Sequence, residues 1–292
     1  MNRGIDHLVL CVRDLDRAQD FYQGLGFTVT PRATHPFGTG NSLIQLQGNF
    51  IELLAVVEPE KITPADPGAF SFGDHNRRFL EVGEGMAMLA FASDDARRDR
   101  AEFARKGLDT YPVFDFARQA TLPDGRQIRV AFSLVYVTDR RLPGIAFFAC
   151  QQHAPEYFWK PEYQRHANGA TLVSEVVMVA DTPRDFAELF GKLQGEAAVA
   201  AIGQALTVTT ARGRIVVLDP AGLAARFPAT AACAAGGPPR FAAYRVAVPD
   251  LGPVEALLAG NGLPFRKHGG RLQVSDADAF GVAVEFAAGE DA

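Results

Sequence analysis

The chain has 292 residues, of which 48% are apolar and 22% charged, and its formal net charge is −5. This composition excludes a disordered chain, and three cysteines are too few to hold a chain of this length together by disulfides. A single core rarely grows beyond about 250–300 residues, so the length favours two packed units.

The first predicted element is an apolar strand over residues 7–12, which ends before Asp14. Asp14 is suited to cap a helix predicted over residues 15–24, because its side chain can accept free backbone N–H groups. Three more strands are predicted, over residues 27–33, 42–47 and 50–57. The first 57 residues therefore follow the order of one strand, one helix and three strands.

The same strand–aspartate–helix opening recurs three times along the chain. The strands are predicted over residues 86–92, 175–180 and 244–248, and the aspartates that follow them are Asp94, Asp181 and Asp250. Turn signals then separate paired strands, as Asp124-Gly125 does between residues 117–122 and 127–136. Four copies of one module indicate an α+β protein built from an internal repeat.

Two segments between the modules are predicted to be connectors, because prolines, glycines and polar residues are frequent in them. They are residues 59–85 and 151–170. The second is also rich in aromatic residues, among them Phe158 and Trp159. These aromatic residues either pack a linker or form part of a pocket wall.

The repeated module resembles the vicinal oxygen chelate superfamily, which comprises glyoxalases, bleomycin-resistance proteins and extradiol dioxygenases. The most specific matches lie in the first module: Ile5-Asp6-His7, Leu25-Gly26-Phe27, residues 35–41 and Ile51-Glu52-Leu53-Leu54. The resemblance implies four βαβββ modules that pair into two curved-sheet units, each around a cleft. We expect a first unit over residues 1–150, a linker over 151–169 and a degenerate second unit over 170–292.

His7 and Glu52 are the leading candidates for a functional site. Alternate side chains of a strand share a face, so His7 lies with Val9 and Cys11, opposite an apolar face that suits helix packing. Glu52 lies within an apolar strand, where an unpaired carboxylate is costly. A metal, a basic residue or a retained proton must therefore compensate it.

In the resembled family these two strand positions supply metal ligands. The resemblance thus implies His7 and Glu52 as ligands of one divalent metal, with Glu52 also acting as the catalytic residue that moves a proton. Imidazole and carboxylate suit Zn, Ni, Fe or Mn. A metal site needs at least three protein ligands. The aligned positions of the other modules carry Ala87, Ser174 and Ala243.

The ligand set is therefore incomplete, and a metal-free site stays open as an alternative. Glu285 matches the place of Glu52, but its own module has no histidine at the first position. The second module offers only Ala or Phe near the place of Glu52. We accordingly expect the functional cleft in the first unit.

Residues 35–41 form the second candidate constellation. The glycines of this segment allow close backbone approach, while His35, Thr39 and Asn41 offer hydrogen bonds. A loop of this kind beside a cleft indicates ligand contact, so we expect these three residues to bind substrate. The alternative is a tight strand connection in which Asn41 satisfies backbone groups. His153 directly follows the second module, and we expect it to bind substrate at the mouth of the cleft.

Three functions are compatible with these residues. The first is a metal-assisted lyase or isomerase of the glyoxalase type, acting on a small carbonyl-containing substrate. The second is a metal-free protein that binds a small molecule, as bleomycin-resistance proteins do. The third is an extradiol-type dioxygenase, which needs two histidines and one carboxylate. A phosphate-binding loop, a dinucleotide fingerprint and a Gly-x-Ser-x-Gly elbow are all absent from the sequence.

The partners expected from composition are small molecules. The sequence has no basic stripe for nucleic acid and no run of about 18 apolar residues for a membrane span. We expect Cys11, Cys150 and Cys233 to be free thiols, which together with the lack of a targeting segment predicts a cytoplasmic protein. The chain is expected to be a monomer or a homodimer.

Overall fold

A computed structural model describes residues 3–121, 127–230 and 236–289 of the chain. Over these residues the strands form two curved sheets, one of nine strands and one of eight. The fold is α+β, as the sequence predicts. Within the same residues, none of the helices has the length and apolar character required to span a bilayer.

The first sheet is built from the first two modules. Its strands are β1 (Ile5–Cys11), β2 (Ala33–Thr34), β3 (Thr39–Gln45), β4 (Phe50–Val56), β5 (Gly85–Ala92), β6 (Asp109–Thr110), β7 (Phe114–Thr121), β8 (Gln127–Thr138) and β9 (Ala146–Gln152). The accompanying helices are α1 (Leu15–Gly24), α2 (Phe72–Val82), α3 (Ala96–Arg105), α4 (Pro155–Phe158) and a 3₁₀ turn at Pro59–Lys61. Strands β1 and β5 pair antiparallel at the centre, and each pairs in parallel with the last strand of its own module.

The second sheet repeats this plan. Its strands are β10 (Leu172–Val179), β11 (Val199–Ile202), β12 (Ala205–Thr209), β13 (Arg214–Leu218), β14 (Arg240–Val248), β15 (Arg266–His268), β16 (Arg271–Val274) and β17 (Ala283–Ala288). Its helices are α5 (Ala187–Gln194), α6 (Pro220–Arg226) and α7 (Leu251–Gly260), with 3₁₀ turns at Pro183–Phe186 and Glu196–Ala198. Strands β10 and β14 pair antiparallel at the centre, flanked by β13 and β17.

Each sheet has one face toward a shared core and one concave face. Leu8 and Leu10 of β1 belong to a large apolar cluster that also contains residues of β10, β14 and the helices. The hydroxyls of Tyr22 and Tyr244, one from each half, hydrogen-bond within this core at 2.9 Å. Val9 belongs instead to a separate cluster on the concave face of the first sheet. The period-2 alternation predicted for β1 is thus confirmed.

Two of the predicted helix caps are confirmed. The side chains of Asp14 and Asp250 each accept a backbone N–H group from the first turn of the helix that follows. The predictions for Asp94 and Asp181 are wrong, because in these modules the helical turn begins one residue later. The caps there are Asp95, which accepts a backbone N–H group, and Thr182.

Because these two caps lie one residue after Asp94 and Asp181, the positions equivalent to His7 in their modules also shift by one residue. His7 forms the first pair of the parallel β1–β4 ladder. The residues at the same place in the other three modules are Met88, Glu175 and Ala243. The predicted equivalents Ala87 and Ser174 are therefore wrong by one residue. The match between Glu285 and Glu52 is confirmed, since both form the third pair of their ladders.

Some predicted segments differ from the structure. Residues 59–85 are more than a connector, because they contain helix α2, whose buried residues Phe72 and Asn76 lie against the sheet. Of the strand predicted over residues 27–33, only the last residue lies in a strand, the short β2. The Asp124-Gly125 turn and Cys233 lie outside the described residues.

A charge network fills the centre of the second concave face. Glu175 and Glu285 are 1% and 0% exposed. The side chain of Arg245 donates to Glu285 at 2.6 Å, and Arg226 of α6 donates to both glutamates. Arg214 also donates to Glu175 at 2.6 Å. Helix α6 therefore lies over the centre of this concave face and pairs with both glutamates through Arg226.

Glu285 provides a test of this network. Burial alone would raise the pKa of Glu285, but Arg226 and Arg245 outweigh it, and the pKa lies below its ordinary value. We expect Glu285→Gln to reduce the free energy of unfolding at pH 7 by about 3–5 kcal/mol, because Arg245 loses its hydrogen-bonded carboxylate and only Glu175 remains to balance the buried arginines. The matched control, Glu255→Gln, removes a surface pair with Lys267 and should cost less than about 1 kcal/mol.

The contribution of Glu285 to the free energy of unfolding changes with pH in a definite direction. Because the pKa of folded Glu285 is depressed, its contribution is present above the unfolded value of about 4.3 and is lost as pH falls through the folded pKa. Urea unfolding of both proteins between pH 7 and pH 3 should therefore show the difference shrinking toward low pH. A difference that grows toward low pH would contradict this.

Candidate active site

The concave face of the first sheet encloses a cavity of ≈ 60 Å³. Its wall combines four polar side chains with a ring of aromatic ones. The lining residues are His7, His35, Asn41, Glu52, Phe37, Leu43, Phe50, Phe72, Phe116, Phe132, Leu134, Phe148, Cys150 and Phe158. A small set of polar groups in an apolar enclosure is typical of a small-molecule site.

His7 is held in a defined orientation. The β1–β5 pairing shifts register between Ile5 and His7, so β1 is irregular at Asp6. The Nδ1 atom of His7 donates to Asp6 Oδ2 at 2.6 Å, and its ring stacks on Phe50 with centroids 4.2 Å apart. The Nε2 atom then lies 3.8 Å from Glu52 Oε2.

Glu52 lies in the middle of β4 and is 6% exposed. The side chain of Asn41, on the neighbouring β3, donates to Glu52 Oε1 at 2.6 Å. Asn41 Nδ2 also lies 3.3 Å from Nε2 of His35, whose Nδ1 hydrogen-bonds the Thr39 hydroxyl at 2.8 Å. Five of the six residues predicted for the site thus form one connected polar cluster around Glu52.

His153 is the one predicted site residue that lies apart from this cluster. Strand β9 extends to Gln152, and the backbone N–H of His153 donates to Ala131. Its Nε2 atom lies 2.7 Å from the Ser133 hydroxyl, which donates to Asp115 at 2.5 Å. These groups and the side chains of Arg97 and Arg129 line a neighbouring cavity of ≈ 600 Å³. This cavity shares Phe116 and Phe132 with the first one. His153 therefore does not line the cavity of His7, and its expected contact with substrate at the mouth of the cleft stays a prediction.

Asp115 in this second cavity is kept ionised. Its hydrogen bond from Ser133 lowers its pKa, burial opposes this weakly, and Arg97 lowers the pKa further. An ionised carboxylate only accepts, so the Ser133 proton points to Asp115 and His153 donates to Ser133. The serine hydroxyl is thereby held as a donor to a carboxylate, which does not fit nucleophilic catalysis.

Cys150 is the functional candidate that the sequence analysis left as an ordinary thiol. It lies on β9 two residues beyond Phe148, and both side chains line the first cavity. Burial raises the pKa of its thiol well above the ordinary value, and the negative charges of Asp6 and Glu52 add to this. The signal in the sequence was a cysteine two residues after Phe148, which places both side chains on the same face of one strand.

Aromatic residues remote in sequence complete the wall. Phe116 and Phe132 come from paired positions of β7 and β8 and stack with centroids 5.0 Å apart. Phe158 comes from the segment after β9, so this aromatic residue forms part of a pocket wall. Its neighbour Trp159 packs edge-on against Phe50, at 5.8 Å between centroids. Local sequence patterns carry no information on such long-range contacts.

The residues present fit a divalent metal by their chemistry. The imidazole Nε2 of His7 and the carboxylate Oε2 of Glu52 lie 3.8 Å apart. Asp6 hydrogen-bonds Nδ1 of His7, and a carboxylate in this position is what orients metal-binding histidines. Among the described residues, one group of three has ligand atoms all within 4.8 Å of one another: Asp6, His7 and Cys150. The position equivalent to His7 in the second module is Met88, and that equivalent to Glu52 is Phe148.

Fold and site together define a protein of the vicinal oxygen chelate superfamily. The family model of a glyoxalase-like domain matches residues 5–194. The chain therefore belongs to the glyoxalase-like domain family. No curated protein sequence matches the chain.

Several solved structures share the fold at low sequence identity. A hypothetical protein from Staphylococcus aureus is 12% identical, with a TM-score of 0.67 over 98% of this chain and 99% of that one. The Mn(II)-bound glyoxalase from Novosphingobium aromaticivorans is also 12% identical, with a TM-score of 0.56 over 98% and 82%. A 2,2',3-trihydroxybiphenyl 1,2-dioxygenase from Sphingomonas wittichii is 12% identical, with a TM-score of 0.52 over 99% and 91%.

Asn41 provides a test of the cluster. In chelator-treated protein, Asn41→Ala should lower the free energy of unfolding by about 1.5–3 kcal/mol, because it removes the hydrogen bond to a buried carboxylate. Asn261→Ala removes a hydrogen bond from an exposed amide to Gly24 and is the control, with a cost of about 1 kcal/mol or less. Equal losses in urea unfolding would contradict the special role of Asn41.

Proposed function

We propose that the first unit is a metal-assisted lyase or isomerase that acts on a small carbonyl-containing molecule with an apolar or aromatic body. The observation that supports this most is the pair of His7 Nε2 and Glu52 Oε2, 3.8 Å apart in an otherwise aromatic cavity. The fold shared with a Mn(II)-bound glyoxalase is consistent with it.

The proposal assigns His7 and Glu52 as metal donors, as the family resemblance implies. Zn, Ni, Fe and Mn all accept an imidazole and a carboxylate. When bound, such an ion acts as a Lewis acid on a substrate oxygen that gains negative charge.

The chain's own residues carry the remaining steps. The carboxylate of Glu52 accepts a proton from the carbon next to the carbonyl group and returns it to the product. Asn41 fixes the orientation of Glu52 by its 2.6 Å hydrogen bond, and Asp6 fixes that of His7. His35 offers a further polar contact to the substrate, and Thr39 holds its ring. The aromatic wall makes the surroundings of the cavity apolar, which strengthens electrostatic interactions there.

Elemental analysis of untagged protein tests this function. We expect close to one divalent metal ion per chain in the parent protein, and loss of the metal in both His7→Ala and Glu52→Ala. His153→Ala is the matched histidine control and should keep the metal, because His153 lines the neighbouring cavity and not that of His7. A parent protein without metal after incubation with zinc, nickel, iron or manganese would contradict the proposal.

A metal-free small-molecule-binding protein is the second candidate. It is favoured by the hydrogen bond from Asn41, which already satisfies one oxygen of Glu52. An extradiol-type dioxygenase has less support. His7 and His35 face opposite oxygens of Glu52, and these three do not form a group with all ligand atoms within 4.8 Å in the described chain.

Fluorescence of Trp159, the chain's single tryptophan, separates the two leading candidates. Its ring lies against Phe50 and Phe158, which both line the cavity. If the metal assists, acetophenone should bind metal-loaded protein at least about tenfold more tightly than chelated protein, a difference of about 1.4 kcal/mol in binding free energy. The change in Trp159 emission during titration with acetophenone measures this affinity. Equal titration curves before and after chelation would favour the metal-free candidate.

A further inference from the structure

The proposed function leaves the metal short of ligands, because the second module has Met88 and Phe148 at the family's ligand positions. Neither side chain supplies the imidazole or carboxylate that a metal-assisted site in this fold requires. A donor from the second module must therefore come from another position on the same concave face.

Cys150 lies at such a position. It follows Phe148 by two residues on β9, so both side chains extend to the concave side, and both line the cavity. Its sulfur, a ligand nitrogen of His7 and a carboxylate oxygen of Asp6 lie within 4.8 Å of one another. All three residues are buried, with Cys150 at 4% exposure and the other two at 5%.

We propose that Asp6, His7 and Cys150 form a zinc site, which holds the ion of the proposed function and leaves Glu52 free to move the proton. Thiolate, imidazole and carboxylate together suit zinc better than manganese, because manganese prefers oxygen ligands. Three protein ligands with one open position are also the usual pattern of catalytic zinc. The inference rests on the proposed function and revises which residues hold its metal. With this ligand set His7→Ala still loses the metal, but Glu52→Ala keeps it.

The geometry of His7 allows this division of roles. Its Nδ1 atom faces Asp6 at 2.6 Å, whereas its Nε2 atom faces Glu52 at 3.8 Å. Bonds of about 2.0–2.3 Å place the ligand atoms of one zinc ion about 3–4 Å apart. Asp6 Oδ2 and His7 Nδ1 therefore separate from 2.6 Å, and the ion replaces the hydrogen bond between them. With zinc on Nδ1, the single ring proton resides on Nε2, on the side of Glu52.

The proton balance is simple. Zinc binds the sulfur as a thiolate, so the thiol proton of Cys150 is released to solvent, and no oxidant or reductant takes part. The neutral ring of His7 keeps its one proton, which moves from Nδ1 to Nε2. One proton is therefore released for each zinc ion bound to neutral His7 and the Cys150 thiol.

Cobalt substitution tests the site, because Co²⁺ replaces zinc and a cobalt–thiolate bond gives a charge-transfer band in the near ultraviolet. The full chain, stripped of metal, is titrated with CoCl₂. We expect the thiolate band to appear with the binding of one Co²⁺. The band should be lost in Cys150→Ala and His7→Ala and kept in Glu52→Gln. In Asp6→Asn the affinity for Co²⁺ should fall at least tenfold.

Cys11→Ala is the matched control. Cys11 is also buried on the concave side, but its thiol donates to Asn76 at 2.9 Å, and it belongs to no described metal-ligand group. The band should persist in this variant. Circular dichroism of each variant establishes that it is folded, and the parent spectrum alone already decides whether a thiolate binds the ion.

The outcomes distinguish this inference from the proposed function. Cobalt bound without a thiolate band, and lost in Glu52→Gln, overturns the cysteine site and supports the His7–Glu52 pair. A band that persists in Cys150→Ala and disappears in Cys11→Ala also overturns it. Failure of the parent protein to bind cobalt or zinc overturns both the site and the metal-assisted function.

Discussion

A carboxylate buried on the concave face of a β-sheet must be compensated, and this requirement governs both halves of the chain. Glu52 and Glu285 occupy equivalent ladder positions in the two sheets. In the second sheet Arg226 and Arg245 neutralise Glu285, and α6 covers the centre of the cleft. In the first sheet Glu52 meets an amide and imidazoles, and the space around it stays open as a cavity.

The position of the site follows from how the sheets are packed. The helix-bearing faces of both sheets share one apolar core, so the concave faces are left for other uses. His7 and Glu52 stand on neighbouring strands at the centre of the sheet, where the backbone is fixed by hydrogen bonds on both sides. Functional groups on such strands are held more precisely than groups on loops. Asp6 and Asn41 add the contacts that orient them.

The sequence predicted the repeat, the α+β class and the association of His7, His35, Asn41 and Glu52, because strand periodicity and the motif of the first module are local signals. It missed helix α2, the aromatic wall from β7 and β8, and Cys150. Those features depend on strand lengths and contacts between distant residues. Alignment of the modules on their aspartates failed by one residue at Ser174, since the cap after β10 is Thr182 and Asp181 lies one residue before it.

On the proposed function the first concave face binds a metal at His7, whereas buried charges occupy the centre of the second concave face. Anomalous X-ray diffraction at the zinc edge, on crystals of the full chain grown with zinc, tests this most directly. The expected result is a peak bonded to His7 in the aromatic cavity and none between Glu175 and Glu285. Well-ordered crystals with zinc only on surface residues, and none at His7, would contradict the claim.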